Sequence, residues 1–114
     1  MDKLSAILIG KALDGLSVRA TIIAQNIANA NSTTYSPKKV TFEDELRAAA
    51  NAGADAVSSV EPQISTVDQK LTSSDMRLDL EMANASQTSM RYAALVDILN
   101  RQMQLTRLAI RGGQ

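Results

Sequence analysis

Between Met82 and Ile110 the small and apolar residues return every third and fourth position: Met82, Ala85, Ser89, Tyr92, Val96, Leu99, Met103, Thr106, Ile110. A second row, Leu95, Ile98, Leu105 and Ala109, lies beside the first. Two adjacent rows at helical spacing describe a broad buried face on an α-helix, not a narrow seam. No Pro or Gly interrupts the chain from Leu80 to Arg111, so nothing in the stretch breaks a helix. Asp79 and Glu81 stand at its start and Arg101, Arg107 and Arg111 near its end, the charge order that the helix dipole favours. Gly112 and Gly113 supply a stop. The pattern predicts a C-terminal helical segment over residues 79–114, with Asp79 as N-cap. Such a helix is on the order of 48 Å long at ~1.5 Å per residue. That is too long for the core of a small globule, so it needs a partner along its length.

The partner is at the other end of the chain. Residues 1–31 carry the register Ala6, Ile9, Leu13, Leu16, Ala20, Ile23, Ile27, Ala30, widened by Leu4, Leu8, Ala12, Ile22 and Ala24. Gly10 and Gly15 weaken this helix without ending it. The expected fold is all-α: a long antiparallel two-helix hairpin, coiled-coil-like, with an irregular, partly extended connector over residues 32–78. Both apolar faces are wider than a single partner helix needs, so neighbouring subunits are expected to complete the burial.

The connector is read piece by piece. After Tyr35 the chain leaves in an extended stretch, and Thr41 with Asp44 forms a plausible capping pair for a short helix over about residues 42–51. Glu43, Asp44 and Glu45 are consecutive, so on a helix they point apart and cannot converge on one substrate; they read as solvated charges. Phe42 and Leu46, four apart, read as a local anchor onto the long helices. Ala48 to Ser59 has little to bury and reads as mobile or ordered by other subunits. Val60 to Leu71 suits extended chain, and Met76, Leu78 and Leu80 alternate at period two before the helical pattern begins.

Composition narrows the function. The chain of 114 residues has room for one domain at most. It contains no Cys and no His, which removes disulfide scaffolds, Cys or His zinc sites and Cys or His catalysis. No Gly-rich phosphate loop occurs, so catalysis is not expected, nor a cofactor or a small-molecule ligand. Lys plus Arg and Asp plus Glu are 12 each, so no net charge draws the chain to nucleic acid. The N-terminus lacks the parts of a Sec-type signal peptide. No apolar run reaches the ~18 residues that span a membrane. Without Trp, the Trp-x-Gly turn of secreted two-helix proteins is absent too.

The first helix ends in a polar cluster, Asn26-Ile27-Ala28-Asn29-Ala30-Asn31-Ser32-Thr33-Thr34-Tyr35. Asn prefers caps and turns over helix interiors. One reading is a C-cap followed by a turn. The other is that the Asn amides bond backbone or a neighbouring subunit and fix how the chain leaves the helix. The string Asn26-Ile27-Ala28-Asn29-Ala30, with Thr33 and Tyr35, resembles the N-terminal signature of bacterial flagellar rod and hook proteins, with Thr33 and Thr34 where that family usually has Pro and Gly. The tail, Leu80-Glu81-Met82, Tyr92, Leu95, Leu99-Asn100 and Leu108-Ala109-Ile110-Arg111-Gly112-Gly113, is similar to the ending of the short, proximal members.

The resemblance implies a structural subunit of the proximal rod of the flagellar basal body. Such a subunit assembles helically as a homo-oligomer and with other rod proteins and a basal-body adaptor, next to the membrane ring and the type III export apparatus, and forms part of the drive shaft and the export channel wall. Leu16, Ile23, Ile27, Tyr92, Val96, Leu99, Met103 and Ile110 are the residues expected to pack the helices and the assembly. Asn26, Asn29, Thr33 and Tyr35 would shape the helix exit. The resemblance also suggests an export-gate motif in Phe42-x-x-x-Leu46, and a location on the periplasmic side reached without a cleaved signal peptide. The competing readings are a coiled-coil adaptor or export chaperone of a type III secretion system, or another closely related rod component.

Overall fold

Asp2 starts the first helix. Its carboxylate accepts the Ser5 N–H at 2.7 Å and closes the first turn, as an N-cap should, and this bond holds the carboxyl below the usual aspartate range. The helix α1 then runs Lys3–Ala28. It stops three residues short of the polar cluster's Asn31 because Asn29 closes it: the backbone N–H and the Nδ2 of Asn29 both donate to the Gln25 carbonyl. The computed structural model describes residues 1–67 and 74–112. It is mostly helical, with long N- and C-terminal helices and a short antiparallel strand pair in the connector.

The connector is more ordered than its composition suggests. Strand β1, Lys38–Thr41, pairs antiparallel with β2, Gln63–Thr66, with Val40 opposite Ile64. Between them lie α2, Glu43–Ala52, and α3, Ala54–Ser58. The extended stretch after Tyr35 is therefore half of a sheet. Ala48 to Ser59, expected to be mobile or ordered by other subunits, is instead the end of α2, the helix expected over about residues 42–51, followed by α3. Gly53, at φ +118, turns one into the other in a conformation that side chains rarely adopt. The turn drops Val57 into the core, where it is 0 % exposed. One well-aimed Val orders a stretch that a count of apolar residues dismisses. The expected Thr41–Asp44 capping pair does not form. Phe42 occupies the N-cap position of α2 and makes no side-chain cap bond, since a benzyl ring carries no acceptor for the helix N–H groups.

Helix α4 spans Ser74–Gly112, 39 residues, about 58 Å at ~1.5 Å per residue. It starts before Asp79, which lies inside the helix and not at its cap. The period-two alternation of Met76, Leu78 and Leu80 is overridden, since nothing in that stretch opposes a helix that has already begun. The extended reading of Val60–Leu71 holds for β2 and otherwise runs outside the described residues beyond Val67.

The buried cluster consists of Leu16, Ile22, Val40, Phe42, Leu46 and Val57, with Leu4, Ile7, Leu8 and Leu95 packed at its margin. The core thus lies between α1 and the connector. Helix α4 packs against α1 but contributes little to the fully buried set. Gly15 shows why the connector docks here. A Cβ at that position would lie 2.6 Å from the Phe42 ring, so only Gly lets the ring reach the helix backbone.

Candidate functional site

Three features converge on α1. The first is the helix exit. Asn26, inside the last turns of α1, is 3 % exposed. Its Nδ2 donates to the Lys38 carbonyl at 2.7 Å and to Glu81 Oε1 at 3.1 Å. Its Oδ1 accepts the Lys38 N–H at 3.0 Å and the Tyr35 hydroxyl at 3.1 Å. One amide therefore joins α1, the loop, β1 and α4, with every hydrogen-bonding site of its head group used. Asn29 caps the helix, and Thr33 is exposed on the loop. Below the clasp, Arg77 of α4 donates to the Ala30 carbonyl at 2.8 Å.

The carboxylate on the clasp is unusual. Glu81 Oε2 is buried with no hydrogen-bond partner among the described residues. Burial pushes the Glu81 carboxyl above its usual value of 4.5, against the opposing pull of Asn26 and Arg77.

The second feature is a clamp that sequence reasoning misses. Arg19 grips Glu43 with both arms, Nη1 to Oε2 at 2.6 Å and Nη2 to Oε1 at 2.7 Å, and Nη2 also donates to the Val40 carbonyl at 2.7 Å. Its guanidinium lies 4.8 Å from the centre of the Phe42 ring. Planar, bidentate pairing plus stacking is what arginine does and lysine cannot. Arg91 of α4 approaches the same carboxylate at 3.7 Å. The hydrogen bond from Arg19 is the main reason the Glu43 carboxyl sits below its usual value of 4.5. Glu43 is therefore a structural ion, while Asp44 and Glu45 remain exposed. The available signal was that Arg19 is the one charged residue between Asp14 and Lys38.

The third feature is a pair of clefts on either side of the α1–α4 contact. One is polar: Arg19, Lys38, Lys39, Arg77 and Arg91 face Glu43 and Glu81 in it. The other, about 470 Å³, is lined by Leu16, Ile23, Ile27 and Tyr92 and by small residues of both helices. Among the described residues, no charged one lines it.

The residues singled out for packing divide along the molecule. Leu16 and Ile23 are buried; Ile27, Val96 and Leu99 are half-buried; Tyr92, Met103 and Ile110 are exposed. Phe42 and Leu46, the apolar pair of the connector, are both buried in the core. Along α4 the large apolar residues Leu80, Met82, Met90, Ile98, Leu105 and Leu108 are exposed too. Among the described residues no cluster of acidic side chains could hold a metal ion, and no helix is long and apolar enough to cross a membrane. No protein-family model matches the chain, and no curated protein is similar enough to it to count as a relative.

Proposed function

We propose that this chain is a structural subunit of the proximal rod of the bacterial flagellar basal body, of the kind typified by FlgB, and not an enzyme. The observation that carries the reading is the set of exposed large apolar residues on several sides of α4, from Leu80 to Ile110. A chain of this size that buries so little of its longest helix is built to have that helix covered by neighbours. The fold that follows is an antiparallel, coiled-coil-like hairpin of α1 and α4. Its support is the pairing of Ala30 with Arg77 and of Asn26 with Glu81, while Leu95 lies against the cluster around Leu16. In the rod, copies of this hairpin and other rod proteins pack helically against one another around the export channel, joined to a basal-body adaptor and the membrane ring.

The motif at the helix exit supports the same reading. In the string Asn-Ile-Ala-Asn-Ala, Asn26 ties the exit loop to both helices, so the motif holds the end of the hairpin in one shape. That is a requirement for a subunit whose two ends must repeat along a filament. The subunit reaches the periplasmic side through the flagellar type III route. Phe42 and Leu46, buried once the chain is folded, are available to the gate only in the unfolded chain, as such a route requires.

The test is a pair of variants. Ile27 lines the seam and Gln25 points to solvent. Ile27→Asp forces a charge into an apolar contact at a cost of several kcal/mol unless the charge stays hydrated, whereas Gln25→Asp stays in water. Cells with Ile27→Asp are expected to secrete the subunit yet lack distal rod and motility, and cells with Gln25→Asp are expected to swim. Equal motility of the two strains would overturn the reading.

A further inference from the structure

We infer that the projecting end of α4 docks into the uncharged α1–α4 groove of a second copy, making a head-to-tail contact. This deepens the structural reading above and rests on self-assembly, not on the flagellar setting. The two hydrogen bonds at the helix exit, Ala30 to Arg77 and Asn26 to Glu81, share one register. Continued along the pair, that register sets Lys3, the first residue of α1, beside Gln104. Helix α4 goes on to Gly112, so its last two turns pass beyond the end of α1. They are apolar around much of their circumference: Leu105 is 56 % exposed and Leu108 and Ile110 are each 62 % exposed.

The groove is at the opposite half of the molecule, between α1 from Leu16 to Ile27 and α4 from Ala85 to Ala93. Along α1 it is about 17 Å long, and the overhang from Leu105 to Gly112 is about 12 Å, both at ~1.5 Å per residue. The overhang therefore fits within the groove's length. Ser17, Ala20, Ala24, Ala85, Ser89 and Ala93 make the walls, and small side chains let a third helix approach closely. Charge directs the choice. Arg107 and Arg111 travel with the overhang, and the other cleft sets Arg19, Lys38, Lys39, Arg77 and Arg91 against only two carboxylates, Glu43 and Glu81, the first of them already gripped by Arg19. Only the uncharged groove accepts a basic, apolar helix end without like-charge contact. Patch and groove are different surfaces of one chain, so the contact is heterologous, and copies add end to end instead of closing into a symmetric dimer.

The test uses two full-length variants with changes at exposed positions only. Leu108→Glu/Ile110→Glu spoils the overhang and keeps the groove. Ala20→Arg fills the groove and keeps the overhang. Gln25→Arg, away from the groove, is the control. By sedimentation, the unaltered chain and the control are expected to form concentration-dependent polymers, and each variant alone to stay monomeric with unchanged helix content by circular dichroism. The equimolar mixture of the two variants is expected to give a 1:1 heterodimer and nothing larger. Failure of the mixture to dimerise, polymers from either variant alone, or a monomeric unaltered chain would each overturn the inference. A heterodimer in cells where Ile27→Asp leaves motility intact would sink the rod reading and keep the contact. Lost motility without a heterodimer would do the reverse.

Discussion

At Asn26 a single side chain decides how the chain leaves its first helix, and the sequence shows only half of the reason. That Asn shapes the exit is legible, because Asn in a late helical turn is costly unless its amide is used. That its partners are Lys38, Tyr35 and Glu81 is not, since two of them arrive from elements whose pairing is a tertiary fact. Asn26→Ala strands the buried ends of these bonds and is expected to lower stability by about 1–3 kcal/mol, read as a fall in the urea midpoint with unchanged slope. Glu81 yields a prediction with a sign. Its carboxyl titrates above 4.5 in the folded chain, so the folded state prefers the protonated form. The stability this contributes is present below 4.5 and is lost as pH rises through the raised folded value. Glu81→Gln keeps an acceptor for Asn26 and removes the buried charge. The variant should match the unaltered chain in acid and exceed it in stability toward neutral pH. Glu43, whose carboxyl is lowered, runs the other way, contributing stability above 4.5 that is lost in acid. It is present in both proteins and cancels from the difference. Urea titrations from about pH 4 to pH 7 check this, and a pH-independent difference would show that the orphaned oxygen is hydrated.

Among the elements, the long helices and the short helix α2, expected over about residues 42–51 and found at Glu43–Ala52, were legible; the strand pairing and the order of α3 were not. Periodicity over dozens of residues outweighs local noise, so α1 and α4 follow from spacing alone. The start of α4 at Ser74 was obscured by three residues at period two, too short a run to stop a helix. What was missed in the connector was missed for a different reason: its order comes from a few residues seated against α1. Val57, Phe42 and Leu46 supply the apolar contacts, and Gly15 and Gly53 supply the backbone geometry. Glu43 was read as a solvated charge because helix position says nothing about an arginine on another element. The two glycines of α1 separate local propensity from packing. A Cβ at Gly10 meets nothing within 4 Å, so Gly10→Ala should stabilise by about 0.5–1 kcal/mol through helix propensity. At Gly15 the same change gains the same propensity but pushes on the Phe42 ring, which Arg19 holds from above. Overpacking costs about 1–3 kcal/mol, so Gly15→Ala should be net destabilising. Thermal melts of the pair decide it, and stabilisation by both would mean that the connector undocks easily.

For the whole molecule, the decisive fact is that one helix outruns everything that covers it among the described residues. The structure extends 64 Å along its long axis and only 26 and 16 Å across, and α4 sets that length. Its middle, where Leu95, Val96 and Leu99 are half-buried, is held by α1 and the core. From Met103 to Gly112 every residue is exposed, so helix there rests on propensity and on single i,i+4 contacts. Isolated helical segments this short are marginal in water, and ends without tertiary contacts open at little free-energy cost. Amide hydrogen exchange in the dilute monomer should therefore be fast from Leu105 to Gly112, slow around Ile22 and Ile23, and intermediate near Leu99. When the protein is concentrated enough to assemble, protection should appear at Leu105–Gly112 and rise in the groove from Ala20 to Ile27, with little change in α2 and α3. The groove and the overhang must gain protection together and at one midpoint concentration, because each is the other's cover. Protection of the overhang in the dilute monomer would mean that the helix end is stable by itself and has no need of a partner.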